Sequence, residues 1–505
     1  MPCARSCILN ETRKIRRGTS FAKHPVTITD GCNVGRVTLD MLPDDVLLGV
    51  FDFYVYENFV EAWMELVQVC RKWRNVIFGS PHRLNLQLVC TDTTRVRDML
   101  SIWPPLTIII RCWYFSTSSM DCIVAALGLN DRVCEIKLGR IQSWQMEEVL
   151  AAMREPFPAL AHLELRSEGE TPPVVPDPFL GGYAPLLQHL SLSCISFPFP
   201  ALRKLLLSAT HIVGLFLFDI PQSGYISPEA IVTCLSTLTS LRLFVLQFNS
   251  PPPLHVQASR RPSPPTRTLL PSLTELSFKG VSEYLEDLVT RIDAPLFEYM
   301  KIDFFHQLIF DTPRLTQFIN RTPRLKAPAG ARVSFSDSGA RVAIISSSVW
   351  TLPLEGFMLK ISCKQSDWQL SSMAQFCSSS LPLVSSFERL YIYEDGTLHR
   401  WQEDIENGQW LELLHPFVGV RDLYLTRSFT LYIAPTLREL VGVTAIEVLP
   451  ALQNLFLEEH HPPGPQAVIE AIEQFVAARQ LFGHPVAVSS WDRRDANWWP
   501  YGAND

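Results

Sequence analysis

Twelve cysteines and twelve histidines are the side chains of this 505-residue sequence best suited to metal binding or nucleophilic chemistry. Their spacing supports neither. His460-His461 precedes two prolines and has no partners at metal-ligand spacing, so solvated loop histidines are expected. Cys112 and Cys134 lie among apolar residues with no nearby histidine to activate them, which makes them buried thiols. There is no G-x-S-x-G elbow, no phosphate-binding Gly-rich loop and no H-E-x-x-H. No catalytic residue, metal site or cofactor is assigned, and the chain is expected not to be an enzyme. An enzyme with an unrecognised site is the competing reading, and activity in the isolated carboxy-terminal part would favour it.

Composition points to an intracellular protein of two or more units, cytoplasmic and/or nuclear. A net charge of −7 implies no strong field for nucleic acid. The cysteines are scattered without a C-x-x-C pair and read as reduced core thiols. No apolar run is long enough to span a bilayer, and Arg5, Arg13, Lys14, Arg16 and Arg17 interrupt any signal-peptide core. Residues 1–38 read as a basic, disordered tail. Arg13-Lys14-Ile15-Arg16-Arg17 suits either a solvated charge cluster or a nuclear-import signal.

The most informative elements lie between Leu42 and Leu88. Pro43 sits where a helix begins, and Asp44 and Asp45 place negative charge on the positive end of its dipole. Val46, Leu47, Val50, Phe51 and Tyr54 recur at helical spacing and make one apolar face. Glu57 and Asn58 open a second segment with apolar positions at Phe59, Trp63, Leu66, Val67, Cys70 and Trp73; Gly79-Ser80-Pro81 ends it.

The ordered combination of a Leu42-Pro43 opening, Val46-Leu47, Val50-Phe51, Trp63 and a closing Val69-Cys70-Arg71-Lys72-Trp73-Arg74 resembles the F-box family. The departures are Phe78, where many members carry a second tryptophan, and an aromatic-rich linker between the first two helices. The resemblance implies a helical docking module over residues 39–85. It also implies a Skp-family adaptor as partner and, through that adaptor, a cullin scaffold. Leu42, Pro43, Val46, Leu47, Val50, Phe51, Trp63, Cys70 and Trp73 would then form the module's core and adaptor contacts.

Residues 86–490 carry a Pro-x-Leu-x-x-Leu-x-Leu template, at Pro158 to Leu165, Pro185 to Leu192 and Pro200 to Leu207. Later copies centre on Leu241 to Leu246, Leu273 to Phe278, Leu296 to Ile302, Phe387 to Ile392, Val420 to Leu425, Leu437 to Leu440 and Leu452 to Leu457. Helices are predicted between copies: Pro228 to Leu235 behind the N-cap Ser227, Glu283 to Ile292, Arg314 to Ile319 and Gln466 to Phe482. The expected fold class is α/β. A small helical F-box precedes an irregular leucine-rich-repeat-like solenoid of strands and helices, each unit burying its leucines against its neighbours. A two-layer α/β domain without repeat symmetry is the alternative. Residues 251–271 read as a Pro-rich surface loop, with Arg260 and Arg261 as an acidic-partner candidate and Ser263 and Thr266 as modification candidates. Pro485 to Val488 should close the last repeat, leaving residues 491–505 as a Trp-rich tail.

In such strands the leucines point inward and intervening side chains point to the open face. That places Tyr391, Tyr393, Tyr424 and Phe456 outward, with Glu458 beside them, as the candidate surface for an unidentified protein substrate. The alternative is that a terminal helix or the Trp-rich tail covers them. Glu164, Ser191 and Lys301 occupy equivalent positions on earlier strands and offer no aromatic anchor.

Overall fold

The structure is a computed structural model, and it describes residues 42–57, 62–81, 83–84, 86–91, 105–113, 117–251, 266–307, 310–322, 325, 330–345, 356–363, 365–395, 406–440, 444–459 and 465–492. The basic tail, His460-His461 and the Arg260-to-Ser263 stretch lie outside them.

Three helices open the described chain: α1 Asp44–Glu57, α2 Trp63–Val69 and α3 Arg71–Gly79. Asp44 and Asp45 occupy the first turn of α1, as the dipole favours. Glu57 closes α1 and does not open the second segment. Leu47, Leu48, Phe51, Trp63, Val67 and Ile77 make the buried core of this unit, and Leu84, Leu86 and Leu106 join it from the adjoining chain. The Trp63 indole donates to the Gln87 carbonyl at 3.0 Å, so the unit is packed directly on the first strand.

A 16-stranded sheet follows, from Gln87–Cys90 at one edge to Ala487–Trp491 at the other. One lateral row keeps its register from unit to unit, while bulges shift it elsewhere, as after Leu138 and Leu217. Leu163, Leu190, Leu215, Phe244, Leu276 and Met300 are successive partners, 27, 25, 29, 32 and 24 residues apart. One apolar side chain per unit at a fixed lateral position, with variable spacing, is a repeat with irregular loops. It is not a two-layer domain without repeats. Alternate residues are buried along the strands, as in Leu243–Phe248 and Glu275–Gly280. A single core runs from Leu88 to Val486 on the helix-covered side.

Several helices form where their spacing predicts them. Ser227 accepts from the Ala230 N–H at the start of Pro228–Leu235. Ser282–Arg291, Pro313–Arg321 and Gln466–Leu481 bury their apolar stripes. Two template copies are corrected. Pro200 to Leu207 lies in the helix Phe199–Ser208, and Leu437 and Arg438 end the helix Arg427–Arg438. In the first, the template places Ala201, Leu202, Leu205 and Leu206 on one helical face, and proline in the first turn favours that outcome. The strand of that unit is Gly214–Ile220.

The larger departure lies mid-array. Strands Gly330–Ser336, Gly339–Ile345 and Gly356–Ser362 form a meander in which Gly339–Ile345 runs antiparallel to both neighbours. Every other neighbouring pair in the large sheet is parallel. At Gly339 the backbone turns so close to the Ile361 carbonyl oxygen that a Cβ would lie 2.1 Å from it. The 251–271 stretch is not loop throughout: Thr268–Leu269 pairs in parallel with Ile292–Asp293, while 252–265 lie outside the described residues. Trp491 ends the last strand and so belongs to the array, not to the tail.

Candidate interaction surfaces

The helical unit presents two different apolar faces on α1. Leu47 and Phe51 turn into its core, where the Phe51 ring meets Trp73 at 4.8 Å. Val46, Val50 and Phe53, spaced four and three residues apart, lie on the other side and are 45%, 53% and 67% exposed. Pro43 is exposed beside them, Leu42 half-buried, and Val69 on α2 is also exposed. Of the nine residues predicted for docking, Leu47, Phe51 and Trp63 are therefore internal, and Leu42, Cys70 and Trp73 are half-buried. Pro43, Val46 and Val50 are open to a partner. Phe53 was missed, although its position three after Val50 and seven after Val46 continues that outer stripe.

The two ends of the motif are physically tied. The Lys72 ammonium donates to the Leu42 carbonyl at 2.9 Å and stands 3.8 Å from the Asp44 carboxylate. The Cys70 sulfur caps α3 by accepting from the Trp73 N–H at 3.5 Å. Arg74 Nε donates to the Val67 carbonyl and braces α2 against α3.

The second surface is the sheet face opposite the core. Tyr391, Tyr424 and Phe456 are register partners on adjacent strands. Their rings stack at 4.3 Å and 4.4 Å with interplanar angles of 19° and 7°. Trp491 approaches Tyr424 edge-on at 5.6 Å and donates to the Leu425 carbonyl. The ladder, like Tyr393, is accordingly half-buried: its rings cover one another, and the last strand shields part of its end. Desolvation, then the neighbouring Tyr391 and Asp422, push the Tyr424 phenol up to about 12. Glu458 has a structural task, accepting from the Arg427 N–H at the start of the helix Arg427–Arg438.

At the other end of the sheet, Glu135 bonds Arg111 at 2.6 Å and Lys137 at 3.2 Å. Burial raises its carboxyl, but the two cations outweigh that and hold it below the usual range. His162 and His189 stack next to it at 4.7 Å, both lowered chiefly by desolvation. Cys112 is buried; Cys134 is half-buried and donates to the Ile108 carbonyl, and burial pushes its thiol up, away from nucleophilic form. Among the described residues no group of three or more His, Cys, Asp or Glu could hold a metal, and no helix is long and apolar enough to cross a membrane.

No protein-family model matches the chain, and no curated protein matches it. Among solved structures it is similar to the leucine-rich repeat-containing protein LegL7 from Legionella pneumophila. The identity is 12%, over 77% of this chain and 97% of that one, with a TM-score of 0.26.

Proposed function

We propose that the chain is a non-catalytic substrate-recognition subunit of a Skp–cullin–F-box ubiquitin ligase. In this reading Pro43, Val46, Val50 and Phe53 meet a Skp-family adaptor, which bridges to a cullin scaffold and a ubiquitin-conjugating enzyme. The open sheet face holds a protein substrate. The chain's contribution is positional: it raises the effective concentration of substrate lysines and orients them toward the transferred ubiquitin.

The observation that carries this reading is the two-sided apolar character of α1. A surface helix normally buries one stripe and gives the other side to polar groups. Here Val46, Val50 and Phe53 form a second stripe facing solvent, and contiguous exposed apolar surface of this kind marks interaction sites. That stripe starts at the Leu42-Pro43 opening on which the F-box resemblance rests.

The test is co-purification with a Skp-family adaptor and a cullin, comparing the intact chain with Val50→Glu, Phe53→Glu. Loss of both partners from a variant that still melts like the parent is the expected result. Adaptor binding unchanged by the two carboxylates would falsify the assignment. Adaptor without cullin would instead support an interaction protein that uses the adaptor without ubiquitylation.

A further inference from the structure

The open face carries a concentration of positive charge that the chain's overall balance of −7 hides. Lys279, Lys301, Lys360 and Arg341 sit on four consecutive strands of the sheet, projecting to the side away from the core; Arg332, on the next strand, projects the same way but is buried. Lys279, Asp303, Lys360 and Arg341 are partners in one lateral row. Lys301, Met358, Ala343, Arg332 and Tyr391 form the next row.

The nearby acids are largely engaged. Asp303 accepts from the Ser362 hydroxyl at 2.7 Å, and Asp395 pairs with Arg341 at 3.0 Å. Asp219 stands 3.9 Å from Lys279. Lys360 donates to the Ser338 hydroxyl. Among the described residues Lys301 has neither an ion pair nor a hydrogen bond. Its side chain is exposed, yet desolvation by the surrounding face and repulsion from Arg341 and Lys360 lower its pKa, against the pull of Asp303. An ammonium held in that setting gains from an incoming anion.

We propose that this cluster, continuous with the aromatic ladder, is a docking track for an extended acidic peptide segment of a protein partner. The carboxylates of the segment would seat on Lys301, Lys360 and Arg341, and an apolar or aromatic side chain would pack against Tyr391. Spacing sets the motif. Lys301 to Tyr391 is four strand steps, about 19 Å at roughly 4.8 Å per step, which an extended peptide spans in about six residues. Met358 and Ala343 line the way with apolar and small side chains, and the buried Arg332 holds its guanidinium 5.9 Å from the Tyr391 ring centre. Charge complementarity selects an acidic occupant. The interspersed Asp303, Asp395 and Asp219 favour a short segment with few carboxylates over a long uniform polyanion such as nucleic acid.

The inference rests on the protein-binding reading of this face and can fail separately from it. The probes are fluorescent twelve-residue peptides with a Glu-Glu-Glu cluster six residues from a single Trp. Controls carry Gln for Glu, or the same residues with the Trp adjacent to the cluster. Single-stranded oligonucleotide and anionic phosphatidylserine vesicles are measured in parallel. The intact chain should bind the spaced acidic peptide at least tenfold more tightly than either control. Lys301→Glu, Lys360→Glu should lose that binding at least tenfold with an unchanged melting profile, and added salt should weaken it steeply. Lys301→Gln, which removes charge without reversing it, should lose an intermediate amount and guards against misfolding of the double variant. Equal binding of all peptides, no binding of any, or tighter capture of oligonucleotide or vesicles through the same lysines would each overturn the proposal. A protein partner retained equally by the parent and by the Lys301, Lys360 double variant would leave the face a protein-binding surface and remove its acidic specificity.

Discussion

Lys72 on α3 donates its ammonium to the carbonyl of Leu42, 2.9 Å away and just before α1. The closing basic stretch of the helical unit thus fastens its Leu-Pro opening. This gives a physical reason for the two ends of the motif to occur together in one sequence. Lys72→Met should cost the fold only about 1 kcal/mol, the net worth of such a bond on a partly exposed group. The same change should weaken adaptor capture clearly, because Pro43 loses its fixed position. Thermal melts and adaptor titrations on the same protein check both halves, and an adaptor affinity equal to the parent's would show that the tie does not position the opening.

The two faces of α1 should respond oppositely to substitution. Phe51→Ala empties a fully buried site against Trp73 and should destabilise the helical unit by about 3–5 kcal/mol. Val50→Ser and Phe53→Ser remove exposed apolar surface and should stay within about 0.5 kcal/mol of the parent. Capture of the adaptor should nevertheless fall with the second pair. Chemical denaturation followed by Trp fluorescence separates the cases, and a strongly destabilised Phe53→Ser would mean that this side of α1 is internal.

Much of this architecture was legible because leucine spacing and helix caps are local signals. Ser227 before Pro228, and the stripe through Tyr284, Leu285, Leu288 and Val289, needed only neighbours in sequence. The meander around Gly339 was missed because its strands alternate Val333, Phe335 and Val342, Ile344 and lack the leucine template, although a Ser336-Asp337-Ser338-Gly339 turn separates them. The Pro200 to Leu207 copy misled because Leu-x-x-Leu spacing fits a helical stripe as well as a strand motif. The outward direction of Tyr391, Tyr424 and Phe456 followed from alternation. Their stacking on one another, and the cover that Trp491 provides, depend on lateral register between strands. So does the lysine cluster: Lys279, Lys301 and Lys360 are 22 and 59 residues apart in sequence and meet only through strand order.

The stacked imidazoles of His162 and His189 should make the array less stable in mild acid. Desolvation lowers both pKa values below 6.5, with Lys137 acting in the same direction on each, Arg111 adding to it at His162 and Glu135 opposing it there. The folded state therefore binds fewer protons than the unfolded chain once pH drops below 6.5. The stabilisation is complete above that value and is lost as pH falls through the folded pKa values. The melting temperature should decline between pH 7.5 and 5.5 more steeply for the parent than for His162→Gln, His189→Gln. Parallel curves would mean that the pair does not titrate as described.

Tyr424 is the central ring of the ladder, and its removal should cost more than removal of an end ring. Tyr424→Ala strips the stacking partner from both Tyr391 and Phe456 and the edge contact from Trp491. Tyr391→Ala strips one stack from Tyr424 and the Arg332 contact, one ring contact fewer than Tyr424→Ala. Each aromatic pair is worth about 0.5–1.5 kcal/mol beyond its buried area, so Tyr424→Ala should be the more destabilising by about 1 kcal/mol. The raised phenol gives a second readout. Its neutral form is favoured by folding, so this stability is full below pH 10 and lost as pH rises toward about 12. In an ultraviolet titration the late-ionising phase, to which the buried Tyr284 and the half-buried Tyr225 also contribute, should be smaller by one phenol in Tyr424→Phe than in the parent.

Arg479 is the deepest charge in the described chain and should govern the carboxy-terminal end of the array. Fully buried on the helix Gln466–Leu481, its guanidinium donates to the carbonyls of Val448, Leu449, Pro450 and Leu452 at 3.3–3.4 Å. Those carbonyls belong to the irregular turn between the preceding unit and the strand Asn454–Glu458, where Leu449 adopts a left-handed backbone at φ 51°. A planar fork with five donors can satisfy several such acceptors at once, whereas a lysine ammonium offers three donors from a single point. Arg479→Met should therefore cost about 3 kcal/mol or more, from the four carbonyls that lose its hydrogen bonds, of which Leu449 alone keeps the Leu452 N–H as a backbone donor within the turn. Arg479→Lys should recover only part of that loss. Because repeat units are held mainly by their neighbours, the damage should be local. Hydrogen exchange should accelerate at Ala471, Ile472 and Phe475 and along Asn454–Glu458, while the strands near Leu163 and Leu190 keep the protection of the parent. Acceleration spread evenly across the array would show that its units unfold together and that Arg479 does not act as a terminal clamp.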